Sequence, residues 1–214
     1  MTPTHPKTRS LVAILVAPLV AAGFAAPAFT APAGAGAASP RAAHRVVHRD
    51  AAADVLVWHV QDDSTTADPD NTSSDIVRTV VDHAAHRLAV RVELRQLARD
   101  HHRLVFTEIR SAARPTYQLT LDYSRTPIGP RITLEQGPGT RVPCPGATWS
   151  IDTTTETVSL SVPRSCLGGP AWVRVGVGTV GAPGGLAESW VDDSRRTGSV
   201  DADHVRLGPR QPHA

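Results

Sequence analysis

The stretch Arg87 to Leu97, RLAVRVELRQL, decides the fold. Leu88, Val90, Val92 and Leu94 fall on one side of an extended chain, and Ala89, Arg91, Glu93 and Arg95 fall on the other. An apolar period of two on one side only predicts a strand whose sheet packs one face on a core and shows the other to water. Antiparallel sheets are built this way.

The same pattern recurs on either side. Ile76 to Val81 precedes the stretch and is joined to it by Asp82-His83-Ala84-Ala85-His86, a length suited to a hairpin. Arg103 to Ile109 follows, and then Tyr117, Leu119, Leu121 and Tyr123 alternate with Gln118, Thr120 and Asp122. These four successive strands predict a meander. Val55 and Val57 predict a shorter strand before them, followed by a polar, acidic loop from Gln61 to Asp75. Further strands are predicted at Ile132 and Leu134, at Val158 to Val162, at Val173 to Val177, at Leu186 to Val191 and at Val205 to Leu207. Pro163 and Gly168-Gly169-Pro170 mark breaks. With no helical stripe and no repeat, residues 54–208 predict one all-β domain. The expected architecture is an antiparallel two-sheet β-sandwich, jelly-roll or immunoglobulin-like. Residues 39–53, rich in Ala, Arg and His, read as a linker, and residues 209–214 as a tail.

The first 38 residues read as a processing segment. Lys7 and Arg9 precede the apolar run Leu11 to Val20, which is too short to span a bilayer and is interrupted by Pro18. Small residues from Ala26-Pro27-Ala28 to Ala35-Gly36-Ala37 place cleavage between Ala28 and Ala38. The expected product is secreted, with no transmembrane segment in the mature chain. Lys7 and Arg9 also account for the formal net charge of +2, so acidic and basic residues balance once the leader is gone. That balance gives no support to nucleic-acid binding, which depends on a basic face, and no nucleic-acid partner is expected. Every later basic residue is Arg, and the Ala/Arg/Gly/Pro bias fits a GC-rich genome such as an actinobacterium's. Two cysteines in an exported chain predict one disulfide, Cys144 to Cys166.

Several clusters are candidates for chemistry. Asp68, Asp70 and Asp75, in the loop Asp68-Pro69-Asp70-Asn71-Thr72-Ser73-Ser74-Asp75, offer hard oxygen donors suited to calcium, and Asp192 and Asp193 are further candidates. The competing reading makes this loop a turn whose Asp, Asn and Ser side chains bond their own backbone. His83, His86, His101 and His102 sit in or beside turns and stand either as zinc or copper ligands or as solvated turn residues. Trp149, Trp172 and Trp190 are candidates for a sugar-stacking platform, against the alternative that each plugs an edge of the core. Asp152, Glu156 and Glu188 supply carboxylates for glycoside hydrolysis, but no spacing pairs them. There is neither a G-x-S-x-G elbow nor an H-E-x-x-H helix.

The acidic loop, Asp75-Ile76, RLAVRVELRQL, the Tyr117-to-Tyr123 strand and SVPRSCLGGPAWVRVGV occur in that order. In this the chain resembles a group of small exported actinobacterial proteins of unassigned function. More distantly it is similar to β-sandwich domains of the family-nine carbohydrate-binding-module and DOMON type, over Asp54 to Asp193. That resemblance implies a sandwich, sugar or haem binding and sometimes structural calcium. The sole Met is Met1, so Met-ligated haem is excluded. The functional expectation is a secreted, non-catalytic module for extracellular or cell-wall carbohydrate, with no cofactor beyond a structural calcium. An envelope protein with a protein partner, and then a hydrolase, are the alternatives.

Overall fold

A computed structural model describes residues 44–98, 102–112, 115–123, 129–137, 139–182, 187–201 and 204–214. The leader, its processing region and His101 lie outside them. Among the described residues the regular secondary structure is nearly all strand, in two antiparallel sheets. The first sheet runs β1 (His44–Arg49), β4 (Ile76–His83), β5 (Arg87–Leu94), β11 (Thr157–Pro163), β10 (Thr148–Asp152). The second runs β3 (Ser64–Ala67), β2 (Leu56–His59), β13 (Glu188–Asp193), β12 (Trp172–Ala182), β6 (His102–Ser111), β7 (Thr116–Tyr123), β8 (Arg131–Gln136), β9 (Thr140–Arg141). A short strand β14 (Gln211–Pro212) pairs separately with β12.

The alternation in β5 is the reason the sheets pack. Leu88, Val90, Val92 and Leu94 are all buried, while Arg91 is exposed and Ala89 and Glu93 are half-exposed. Val158, Leu160 and Val162 of β11 extend the same apolar face across the register, Leu160 beside Val90 and Val162 beside Leu88. Val105, Ile109, Leu119, Leu121, Val173, Val175 and Val177 close the core from the second sheet. Each such side chain contributes about 1.5–3 kcal/mol on burial. The Cys144–Cys166 disulfide joins the loop before β10 to a 3-10 turn, Arg164–Leu167, and both cysteines pack on the core. No helix among the described residues is long and apolar enough to cross a membrane.

The architecture departs from the sequence reading in several places, the expected tail 209–214 among them, since Gln211–Pro212 pairs with β12 and the Ala214 N–H bonds the His83 carbonyl. His44–Arg49, within the expected linker, is an edge strand in register with β4 from His44 opposite His83 to Arg49 opposite Arg78. Its HRVVHR pattern shows basic groups on both faces, which an edge tolerates and which hides the strand. Ser64–Ala67, inside the expected acidic loop, is the exposed partner of β2. The predicted meander is broken, because the second neighbour of β5 is β11 and the chain crosses to the other sheet before β6. Val205 to Leu207 forms no strand; Val205 is buried against Gly176 and Gly178 instead.

Candidate functional site

Two features stand out: a buried group of carboxylates, and a pair of hollows on the outer face of the second sheet. The carboxylates come from Asp54, just before β2, from Asp75, just before β4, and from Asp192 on β13. One oxygen of each lies within 4.8 Å of the others. Asp75 is fully buried and Asp192 is 2% exposed. Asp75 Oδ2 accepts the Ala53 N–H at 2.8 Å and forms an ion pair with Arg95 Nε at 3.1 Å. Asp192 Oδ2 accepts the Ile76 N–H at 2.7 Å. Asp75 Oδ1 and both oxygens of Asp54 are closed off from solvent and take no well-formed hydrogen bond among the described residues, although the Asp54 N–H lies close enough to its own carboxylate to favour the charged form.

Burial sets the electrostatics here. It pushes the Asp192 carboxyl up to about 8, with the charges of Asp50, Asp54 and Asp75 adding to the rise and the Ile76 N–H opposing it. Asp50, which follows β1, is pushed up to about 7 by burial and by the neighbouring Asp54, Asp193 and Asp75 charges, against the Ala51 N–H. Asp54 and Asp75 are raised by the same loss of solvent, Asp54 further by the Asp75 charge.

The calcium candidates read from the sequence separate into two sets. Asp75 and Asp192 join the group and Asp54 joins them, while Asp68, Asp70 and Asp193 are not in it. Asp68 and Asp70 stay on the loop, which Asn71 organises by accepting the Ser73 and Ser74 N–H groups at 3.1 and 3.0 Å, an Asx turn. Asp192 and Asp193 are consecutive in a strand and take opposite faces, Asp192 opposite Thr179 and Asp193 opposite Gly178. Asp193 is satisfied on its own side by the Arg206 and Arg195 N–H groups and by Arg196 at 3.1 Å. Asp54 carried no local signal, having no acidic neighbour within the apolar-rich run that follows it.

The hollows owe their shape to a glycine. Phe106 on β6 lies opposite Gly178 on β12, and a Cβ there would stand 2.5 Å from Phe106 Cζ. The ring therefore lies across the sheet face with an open space on each side. One space, about 290 Å³, is lined by Trp58, Asp63, Thr65, Val180 and Asp201 among others, and Trp58 Nε1 donates to Asp63 Oδ1 at 2.9 Å. The other, about 540 Å³, is lined by Glu108, Thr116, Tyr117, Gln118 and His204, with His204 Nδ1 3.4 Å from Glu108 Oε2. A third hollow, about 460 Å³, crosses the outer face of the first sheet between Arg45, Asp82, Arg91 and Ser161, with Trp149 at its edge.

The three expected tryptophans share no line. Trp149, 40% exposed, lies on β10 opposite Leu160, whereas Trp172 and Trp190 belong to the second sheet. The Arg210 guanidinium covers the Trp172 ring at 4.4 Å, and Trp190 is half-buried beside Gly181. Trp58, the ring that does line a hollow, was legible only as part of a strand. The histidines disperse as well. His83 is fully buried with Nδ1 3.0 Å from Gln211 O, His102 pairs with Asp122 at 3.1 Å, and His86 is exposed. The hydrolase carboxylates have separate partners: Asp152 caps Thr154 and Thr155, Glu156 bonds the Leu97 N–H, and Glu188 pairs with His59.

Comparison with known proteins gave no match, whether to a family model, a curated protein or a solved structure.

Proposed function

We propose that the chain is a secreted, non-catalytic module that binds extracellular or cell-wall polysaccharide along the outer face of its second sheet. The observation that carries this reading is the Phe106 ring standing between two open hollows that are both lined with hydrogen-bonding side chains. Sugar rings present apolar C–H faces and hydroxyl rims. The rings of Trp58 and Phe106 suit the faces; Asp63, Glu108 and Gln118 suit the rims. The two spaces together have the size of a site for more than one sugar residue. The acids at this surface already hold protein partners, Asp63 with Trp58 and Glu108 with His204, which favours binding over acid–base chemistry.

The test is co-sedimentation of the oxidised protein with purified cell wall and a panel of insoluble polysaccharides, for the parent and for Trp58→Ala. Loss of one stacking ring, worth about 0.5–1.5 kcal/mol, lowers affinity roughly three- to tenfold. Binding that is unchanged in Trp58→Ala places the ligand elsewhere. Absence of binding to every polysaccharide removes the proposal and leaves a protein partner as the next reading.

A further inference from the structure

The geometry points to a hard divalent cation, calcium, held by Asp54, Asp75 and Asp192 at the end of the sandwich where the two sheets meet. Ligands around one ion at about 2.4 Å lie no more than about twice that distance apart. One carboxylate oxygen from each of these three residues, the three lying within 4.8 Å of one another, meets that limit. The donors are all oxygens, which selects calcium or magnesium over zinc or copper.

The second, independent observation is the state of the inward oxygens. Buried polar atoms in folded proteins find partners, and exceptions call for an unseen ion or water. Here the fully buried Asp75 has Oδ2 fixed by the Ala53 N–H and Arg95, while Oδ1 has neither solvent nor a bond. Both Asp54 oxygens are closed off in the same way. A backbone N–H, by contrast, anchors Asp192 Oδ2 from the β4 side. Two of the residues are thus held from outside while the group keeps acceptor capacity that no side chain or backbone donor of another described residue uses. Such an arrangement is costly as bare charge, because burial strips each carboxylate of its hydration without supplying a partner. Three carboxylates outnumber the Arg95 cation paired with Asp75, and a divalent ion offsets the excess negative charge.

The placement gives the ion a task. Asp75 leads into β4 of the first sheet, whereas Asp54 leads into β2 and Asp192 lies on β13 of the second. The cation ties the two layers together at this end, and through Asp192 it also borders the hollow that Trp58 lines. The Asp68-to-Ser74 loop contributes through its carboxyl-terminal neighbour Asp75 and not through its exposed acids.

The experiment uses the full oxidised chain, stripped with EDTA and dialysed, titrated with calcium chloride and with magnesium chloride by calorimetry, with thermal melts of each state. The expected result is one calcium per chain with submillimolar affinity and a higher melting temperature, with magnesium weaker. Asp54→Asn and Asp192→Asn each lower calcium affinity at least about tenfold, because affinity follows ligand charge. Metal-free melts of both variants confirm that they fold, since each removes a buried like charge. Absence of both heat and a melting shift up to millimolar calcium overturns the proposal and assigns protons to the cluster. Calcium binding that survives both substitutions overturns it too, because the ion is then elsewhere.

Discussion

Gly178→Ala sets two opposed effects against each other at the floor of the proposed binding face. A glycine inside a strand costs about 0.5–1 kcal/mol relative to alanine, so the substitution gains that much where space allows. Space does not allow it here. The added Cβ would stand 2.5 Å from Phe106 Cζ, 2.9 Å from Phe106 Cε1 and 2.8 Å from Val205 Cγ1, where carbon contacts settle near 3.5–4.0 Å. Phe106 and Val205 must each retreat by about 1 Å, and overpacking of this kind costs about 1–3 kcal/mol. With overpacking in the middle of that range, about 2 kcal/mol, a gain of about 0.5–1 kcal/mol leaves a net loss of about 1–1.5 kcal/mol, or roughly 2–6 °C in melting temperature for a domain of this size. Thermal melts followed by circular dichroism measure it, and Phe106→Leu tested alone and with Gly178→Ala identifies the cause. The double variant recovers stability relative to the sum of the singles. A Gly178→Ala protein as stable as the parent refutes the reasoning, as does additivity within about 0.5 kcal/mol, which would show that the ring is not what the methyl meets.

Two further outcomes are expected. Cys144→Ser/Cys166→Ser lowers stability by about 3 kcal/mol through the closed loop of the unfolded chain, measured by urea melts, and an unchanged midpoint would show the bridge to be idle. His83 is held below the usual histidine range, chiefly by burial, with Arg164, His213 and His44 adding to the fall and the Gln211 carbonyl opposing it. The unfolded chain therefore takes up this proton first, and stability is lost as pH falls below about 6.5 toward the folded value. In an NMR titration His83 titrates below the usual histidine range; a midpoint at or above about 6.5 contradicts the assignment.

Local patterns were legible wherever one side of a strand met the core. Leu88 to Leu94, Tyr117 to Tyr123 and Val158 to Val162 read correctly because burial imposes the period directly on side-chain type. The edge strands β1 and β3 escaped notice because an edge buries little: β3 is exposed at every position. Partner choice was legible only between chain neighbours, β4 with β5 and β6 with β7, and not for the distant pairings. Nothing in RLAVRVEL says that its neighbour is 157–163 and not 103–109, since both carry the same alternation. The acidic group was half legible for the same reason. Asp75 and Asp192 drew notice through acidic neighbours, but the neighbours diverge once strand alternation and the Asn71 turn are imposed, and Asp54 arrives from a distant strand.

The insertion of β11 between β5 and β10 also governs how the chain must fold. The β4–β5 hairpin forms from adjacent residues, but its free side is completed only by 157–163, after the excursion through β6, β7 and β8 in the other sheet. The second sheet has the same habit, joining β2 to β13 across most of the domain. Pairings this distant in sequence pay their loop entropy before any contact rewards them, which puts such sandwiches among the slow folders, at milliseconds to seconds. Until β11 arrives, the apolar row of β5 has an open edge beside it. The charged residues along that strand, Arg87, Arg91 and Glu93, then act as guards that keep the waiting edge from finding another molecule.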